Sequence, residues 1–438
     1  MHAAIAPAAR RSLATVSAAA PRQQYRVVVV GGGAAGVTVA AQLGKHAAFF
    51  NKKDVLIIEP SETHYYQPLW TLVGGGLKSL SSTARPMASV IPSHADWLKA
   101  RVSKIEPTAN VVRTDDGKEI AYDFLVVAPG ISINIDKIEG LKESLGKDGV
   151  STNYLAAHVE KTFEFIKAFQ GGNAIFTQPS TPIKCAGAPQ KIMYLAEEHF
   201  RDKGLRGQTN VSFYSGIGKI FGVDKYANSL TEVCKKRDIN VNLLHDLVAV
   251  RPDKKQAVFK KVGGDGGPGE VVVAYDFLHV TPPMGPLPFI RESGLADEAG
   301  WVSVDRATTQ HVAFKNVFSL GDSSSLPTSR TAAAVAAQSG VTTANLLSAI
   351  EGRPLAAAYD GYTSCPLVTG RDKLILAEFN GYTLQPRETF HFDQSVERPS
   401  MYRLKADMLD KIYWELMLKG NWVGPAPFRP LLNPLDRN

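Results

Sequence analysis

Two cysteines stand out because their local sequences are unusual for packing residues. The chain has only three cysteines among 438 residues. Cys185 lies in residues 183–191 and Cys365 in residues 361–370, and both segments are rich in glycine and proline. A cysteine in such a loop can face a ligand, whereas one in a regular apolar stripe usually packs. Cys185 and Cys365 are therefore candidates for thiol chemistry, and Cys234, in a plain helical pattern, is predicted to be structural.

Near the N-terminus, a glycine pattern predicts a dinucleotide site. A β-branched run ends at residue 30 and leads into a G-x-G-x-x-G motif and a helical pattern. Gly31 permits a tight turn, Gly33 lets the backbone approach a pyrophosphate, and Gly36 allows close helix–strand packing. The helix start offers free N–H groups and a positive dipole end to the phosphates. Glu59, which ends the next predicted strand, is placed to bind a ribose.

A repeated motif indicates a second, related unit. Tyr-Asp-Phe-Leu occurs at residues 122–125 and again at 275–278, which suggests an internal duplication. The opening strand of the second unit, residues 173–177, is followed by a loop with two prolines instead of a glycine turn. Because that loop offers no close backbone approach to a pyrophosphate, the second unit is predicted to be degenerate for NAD(P)H. Asp322 follows another predicted strand, where it serves either as a ligand contact or only as a turn residue.

Composition limits the class of protein. The length predicts more than one domain, and three cysteines exclude a disulfide scaffold. Net charge is +7, and no basic stripe with interleaved aromatics appears, so a nucleic-acid partner is not expected. Residues 1–24 contain three arginines and no acidic residue, which predicts a mitochondrial presequence. We assign no metal site and expect no membrane-spanning helix.

The C-terminal stretch changes character. From residue 401, aromatic residues, Met and Leu mix with scattered Lys and Arg. This composition suits either a helix lying in a membrane interface or a packing helix. For the interface alternative, the apolar side is predicted to be Tyr413, Trp414, Leu416, Met417, Leu418 and Trp422, with Lys411 and Lys419 reaching the headgroups. Since the segment holds no candidate cysteine or cofactor contact, its removal is expected to spare chemistry at the cysteines.

These features resemble the mitochondrial, two-cysteine type of sulfide:quinone oxidoreductase, a family of flavoproteins. The resemblance rests on residues 66–74, 182–191, 326–340 and 362–370. It implies an α/β fold with two Rossmann-like, flavin disulfide reductase-like domains and C-terminal membrane-binding helices. The implied divisions are a FAD-binding domain (25–150 and 285–372), a second domain (151–284) and a quinone and membrane-interface region (373–438). The implied FAD contacts are Gly31, Gly33, Ala34, Ala35, Gly36, Glu59, Gln67, Val102, Asp322 and Arg330.

The resemblance also implies a reaction. Sulfide attacks a Cys185–Cys365 disulfide or its sulfur-bridged form, and Cys365 carries the persulfide. A thiol or sulfite then takes the sulfane sulfur, while two electrons pass through FAD to ubiquinone at the inner mitochondrial membrane. Residues 131–152 contain no cysteine, so FAD is expected to be non-covalent. Phe379 is the candidate wall of the quinone pocket.

Two alternatives remain open from the sequence. One is an NADH:quinone oxidoreductase of the same fold, and the other is a mitochondrial flavin-binding scaffold with little turnover. Neither requires two loop thiols, and the proline loop disfavours NADH. The oligomeric state, the membrane face and the physiological sulfur acceptor do not follow from the sequence.

Overall fold

A computed structural model describes residues 23–46, 50, 54–263 and 269–434. The predicted presequence, residues 1–24, lies outside the described residues except for Gln23 and Gln24. These two residues begin the first strand.

The strands are grouped into two larger parallel-containing sheets and several small antiparallel ones. In chain order they are β1 (Gln23–Val30), β2 (Val55–Ile58), β3 (Thr63–Tyr65), β4 (Ala84–Pro86), β5 (Ala95–Leu98), β6 (Val102–Glu106), β7 (Val111–Thr114), β8 (Glu119–Val127), β9 (Ser132–Ile133), β10 (Val150–Ser151), β11 (Gly172–Gln178), β12 (Thr209–Ser215), β13 (Asn240–Leu243), β14 (His245–Arg251), β15 (Gln256–Lys261), β16 (Glu270–Ala274), β17 (Phe277–His279), β18 (Met284–Gly285), β19 (Val317–Ser319), β20 (Tyr362–Gly370) and β21 (Lys373–Asn380).

The helices connect and cover these sheets. They are α1 (Ala34–Leu43), α2 (Trp70–Gly74), α3 (Met87–Val90), α4 (Leu141–Ser144), α5 (Ala156–Ala168), α6 (Ala188–Asp202), α7 (Asp224–Lys236), α8 (Pro288–Arg291), α9 (Ala332–Ile350), α10 (Pro399–Arg403), α11 (Leu409–Lys411) and α12 (Arg429–Leu432). Two π-helical segments, Leu404–Met408 and Ile412–Met417, alternate with α10 and α11, so residues 399–417 are continuously helical.

The first sheet is built around β1. Its order is β5-β2-β1-β8-β7-β6, and β19 also pairs with β8. Strands β1, β2, β5, β8 and β19 are parallel, and the valines of β1 are fully buried, as a strand covered on both faces requires. Strand β19 joins this sheet although the whole second sheet lies between β8 and β19 in sequence.

The second sheet is parallel throughout, in the order β10-β17-β11-β12-β13. The Tyr-Asp-Phe-Leu copies occupy matching positions: β8 lies beside the first strand of its sheet, and β17 lies beside β11. The duplication inferred from the sequence therefore corresponds to two similar sheets. Residues 179–187 connect β11 to α6 without a glycine turn, and this loop carries Cys185.

The C-terminal helical segment packs onto the first domain, and this changes which of its side chains can face a membrane. Tyr413, Trp414, Met417 and Leu418 are buried in the main core, so the apolar side assigned to the interface alternative is wrong for these four residues. The exposed face carries the ion pairs Lys78–Asp407 and Lys419–Glu415. It also carries Met408 and the predicted Leu416, which are 54% and 39% exposed. Within the described ranges, no helix is both long and apolar enough to cross a membrane.

Further exposed apolar residues lie around α12. Phe428, Leu431 and Leu432 are 47%, 80% and 40% exposed. We call these three residues the apolar rim. Trp422 stacks on Phe428 with ring centroids 5.6 Å apart, which holds the rim against the end of the preceding helical segment.

Candidate active site

One large cavity, of about 1160 Å³, lies between the first sheet, the Cys185 loop and the C-terminal segment. This volume is at the upper end of small-molecule sites and is sufficient for a dinucleotide. Ten residues predicted from the sequence line it: Gly31, Gly33, Ala34, Ala35, Glu59, Gln67, Val102, Cys185, Asp322 and Arg330. Gly36, Cys365 and Phe379 do not.

The glycine turn has the geometry of a phosphate cradle. Gly31 has φ +101°, and a Cβ there would lie 2.4 Å from the Ala128 carbonyl oxygen. A Cβ on Gly36 would lie 1.9 Å from the Gly31 carbonyl oxygen, so α1 could not approach the turn with any side chain there. A Cβ on Gly33 would meet no atom within 4 Å, which leaves an open space at the N-terminus of α1. The residues present therefore fit a dinucleotide pyrophosphate.

Two acidic residues lie on either side of this cradle. The Glu59 carboxylate accepts hydrogen bonds from the backbone N–H groups of Gly32 and Ser61, both at 2.8 Å. Burial raises the pKa of Asp322, against the opposing effect of Lys184 and Arg330. The Arg330 guanidinium donates to the Asp322 carbonyl at 3.0 Å and lies 3.9 Å from the centre of the Trp301 ring. Arg330 is thus held in place by a backbone group and an aromatic face.

The structure brings the two candidate cysteines together across 180 residues of sequence. Their Sγ atoms are 4.0 Å apart. Cys185 has φ +53°, and its N–H donates to the Arg330 carbonyl at 2.9 Å, so its loop is fixed to the far side of the cavity. Cys365 was expected in a loop, but it lies in the middle of strand β20 and is 2% exposed. Both thiols are free at this distance.

Electrostatics make the two thiols unequal. A hydrogen bond from Cys365 lowers the pKa of Cys185 well below its usual range, and Lys191 and Lys405 lower it further, against burial. The same bond, with burial, raises the pKa of Cys365. The Lys191 ammonium donates to Cys185 Sγ at 3.3 Å. Cys185 is therefore the more acidic thiol of the pair.

Comparisons with known proteins agree with this geometry. The pyridine nucleotide-disulphide oxidoreductase family model matches residues 25–162. Mitochondrial sulfide:quinone oxidoreductases of Mus musculus and Dictyostelium discoideum are 50% and 48% identical, each over 91% of this chain and 87% of the relative. The crystal structure of the Aquifex aeolicus sulfide:quinone oxidoreductase shares the fold, with a TM-score of 0.74 and 18% identity over 91% of this chain and 92% of that one.

This chain belongs to the sulfide:quinone oxidoreductase family. The resemblance drawn from the sequence is confirmed, as is the α/β fold of the flavin disulfide reductase type.

Three lysines near Cys185 and Cys365 were not among the site residues predicted from the sequence. Lys184 donates to the Gln67 side-chain oxygen at 2.6 Å, and Lys191 projects from the first turns of α6. Lys405 is 2% exposed and donates to the Pro68 carbonyl at 2.6 Å. Burial, with repulsion from Lys191, lowers the pKa of Lys405 to about 7. A signal for Lys405 was present in the sequence, because it follows Met401 by one helical turn on the apolar side.

The C-terminal segment is therefore part of the active-site cavity. Leu404, Lys405, Leu409, Ile412, Tyr413 and Met417 all line it. No cofactor contact was predicted in this segment from the sequence, but the two π-helical stretches place Lys405 and Tyr413 in the cavity wall. Single-turn π-helical irregularities frequently accompany functional sites.

Phe379 points away from the cavity. Side chains alternate along β21, so Leu376 and Glu378 line the cavity, whereas Ala377 and Phe379 face the second domain. Phe379 is 3% exposed and packs against Phe221, with centroids 5.8 Å apart. Ala377 pairs with Cys365 across the two strands, so the two side chains lie on the same face of the sheet. Phe379, two residues after Ala377, lies on that face too.

Cys234 lies in α7, as the sequence pattern predicted. It is 2% exposed, and its sulfur is 3.5 Å from the Tyr194 hydroxyl. Burial raises the pKa of this thiol to about 11, which leaves it protonated and unreactive at neutral pH.

Proposed function

We propose that this chain oxidises hydrogen sulfide at the Cys185–Cys365 pair, passes the sulfane sulfur to a small thiol or sulfite, and delivers two electrons through non-covalent FAD to ubiquinone. The observation that carries the proposal is the pair of sulfurs 4.0 Å apart, with one of them in the cavity that also contains the glycine turn. The mitochondrial relatives and the composition of residues 1–24 support a site at the inner mitochondrial membrane.

The chain offers a complete set of groups for FAD. The turn at Gly31 and Gly33 would hold the pyrophosphate and Glu59 a ribose, while Asp322 and Arg330 lie across the cavity. Bound FAD would accept the electron pair of the thiol oxidation and pass it to the quinone. The residues near the sulfurs bind, orient and stabilise charge, and no general base is needed because sulfide is largely HS⁻ at neutral pH.

The unequal thiols define the direction of attack. In the oxidised protein, HS⁻ attacks the Cys365 sulfur, the Cys185–Cys365 bond breaks, and Cys185 leaves as a thiolate. Departure of Cys185 is favoured because a thiol of lower pKa is the better leaving group. Lys191 stabilises the released charge at 3.3 Å. Cys365 then carries the persulfide and retains the proton of HS⁻.

Sulfur transfer completes the cycle. A thiolate, sulfite or, when no other acceptor is present, a second HS⁻ attacks the outer persulfide sulfur and removes it, which leaves two reduced cysteines. Re-forming their disulfide releases two electrons, which reduce the quinone to the quinol together with two protons. For a thiol acceptor, the balance is H₂S + RSH + quinone giving RSSH + quinol.

The apolar rim indicates a different place for the quinone from the pocket wall predicted at Phe379. Phe428 and Leu432 belong both to the rim and to the cavity lining. Trp422 and Leu376 also line the cavity. A lipid-soluble quinone would reach the cavity where these exposed apolar side chains enter the headgroup region of a bilayer. We therefore propose that α12 and its neighbours dock on the membrane.

Stopped-flow mixing tests the proposed function. Anaerobic sulfide should bleach the flavin absorbance of the purified yellow protein, and NADH should not. Cys185→Ala and Cys365→Ala should abolish bleaching, whereas Cys234→Ala, the matched cysteine control, should not alter it. Bleaching by NADH, or persistence of sulfide bleaching in either active-site variant, would contradict the proposal.

A further inference from the structure

A short chain of hydrogen bonds connects the C-terminal segment to the glycine turn. The Tyr413 hydroxyl lies 2.5 Å from His64 Nε2, and His64 Nδ1 lies 3.0 Å from the Gly32 carbonyl oxygen. A carbonyl only accepts, so His64 Nδ1 carries the proton and Nε2 accepts from Tyr413. Both side chains are 3% exposed. Burial lowers the pKa of His64 to about 4, so the ring is neutral at physiological pH.

The Gly32 residue is held from both sides. Its N–H donates to Glu59 Oε2 at 2.8 Å, and its carbonyl accepts from His64. Gly32, His64 and Tyr413 all line the cavity. Because Gly33 and the N-terminus of α1 follow directly, the orientation of Gly32 determines where the N–H groups of the turn point.

We propose that Tyr413 is a positioning residue for the dinucleotide turn: it fixes the tautomer and orientation of His64, which in turn holds the Gly32 carbonyl. This inference rests on the proposed function, since it takes FAD as the occupant of the turn. It gives the C-terminal segment a role in retaining the cofactor, separate from membrane docking.

The C-terminal segment around Tyr413 is held against the first domain by several contacts, so the Tyr413 hydroxyl has a fixed position beside His64. The Tyr413 ring packs on Tyr66, with centroids 4.5 Å apart, and on Trp414 at 5.1 Å. Lys45, just past α1, donates to the Gly420 carbonyl at 2.5 Å. A Cβ on Gly420 would lie 2.9 Å from the backbone nitrogen of Gln42, so the segment contacts the backbone of α1 itself. The helix that forms the turn and the segment that supplies Tyr413 are therefore fixed relative to each other.

The test measures FAD release from the holoenzyme as the flavin fluorescence that appears after dilution. Tyr413→Phe removes one hydroxyl and leaves His64 Nε2 without its partner. Loss of a buried hydrogen bond predicts about three- to tenfold faster release. Tyr402→Phe, which alters a half-buried tyrosine of the same segment outside the cavity lining, should release FAD at the wild-type rate. Thermal unfolding with excess FAD verifies that each variant is folded.

A double-mutant cycle separates positioning from a general loss of stability. His64→Asn retains an amide donor for the Gly32 carbonyl without needing Tyr413 to set a tautomer. In that background Tyr413→Phe should no longer change FAD release. Wild-type release from Tyr413→Phe, or additive effects of the two substitutions, would overturn the inference alone. A wild-type protein that contains no FAD would overturn the proposed function with it.

Discussion

Cys185 occupies a left-handed backbone conformation that non-glycine residues seldom adopt. Its φ of +53° costs about 1–2 kcal/mol relative to an ordinary conformation. The bond from its N–H to the Arg330 carbonyl and the contact of its sulfur with Lys191 compensate for this strain. Strain of this kind is typical of functional sites. Here it directs the sulfur toward Cys365 while keeping it on the cavity wall.

Lys191 should control the reactivity of Cys185. Lys191→Met removes the ammonium 3.3 Å from the sulfur, so the pKa of Cys185 should rise. The rate of alkylation of the reduced protein, followed as a function of pH, should then reach its plateau at higher pH, and alkylation at neutral pH should be severalfold slower. Lys203→Met, just beyond the same helix and exposed, should leave the profile unchanged. An unchanged profile in Lys191→Met would mean that Cys365 and Lys405 stabilise the thiolate without Lys191.

Gly187 controls the position of the other sulfur. A Cβ at this residue would lie 2.6 Å from Cys365 Sγ and 2.5 Å from a methyl carbon of Leu367. Gly187→Ala should therefore displace Cys365, lower stability by about 1–3 kcal/mol and slow sulfide bleaching at least tenfold. Gly207→Ala is the matched control, because a Cβ there meets no atom within 4 Å. Stopped-flow bleaching and thermal unfolding give the two readouts.

Among the elements, those that follow simple periodic rules were predictable from the sequence. The β-branched run before Gly31, the glycine turn and α1 depend on local sterics, and they appear in the structure at nearly the predicted residues. Strand β21 shows the limit of this reasoning. Phe379 is aromatic, and its neighbours on β21 line the cavity. Whether its own side chain faces the cavity depends on the strand register, which pairing with β20 determines.

Element α12 provides the exposed apolar surface, so a single charge there should weaken membrane docking. Leu431 is 80% exposed, and Leu431→Asp therefore costs little stability. We expect reduced co-sedimentation with phospholipid vesicles and slower reduction of a long-chain quinone embedded in them. Val312→Asp, at a site 57% exposed and outside the rim, controls for adding a negative charge to an exposed valine. Equal vesicle binding by both variants would exclude the rim as the docking surface.

For the whole molecule, the sequence predicted the part of the cavity wall around the glycine turn but not the wall contributed by the C-terminus. Ten predicted residues line one cavity, because motifs report on local turns and strand ends. The helical stripe marked Tyr413 and Lys405 as facing an apolar surface, but it did not show that they line the cavity. Their partners, His64 and Pro68, are more than 300 residues away in sequence, and no local pattern encodes those contacts. The apolar stripe was visible, but whether a protein core or a membrane covers it depends on tertiary packing.

Two truncations distinguish the two roles of the C-terminal region. A chain ending at Gly424 lacks the apolar rim but retains Lys405, Tyr413 and the contacts of Gly420 with α1. It should keep FAD and be bleached by sulfide, yet bind vesicles weakly. A chain ending at Ser400 also loses the cavity wall and the His64–Tyr413 bond, so it should lose FAD as well. Flavin content per protein, sulfide bleaching and vesicle co-sedimentation, measured on both chains, check these outcomes. Full flavin content and bleaching in the shorter chain would show that the first domain holds its cofactor unaided, and that the C-terminal region serves the membrane alone.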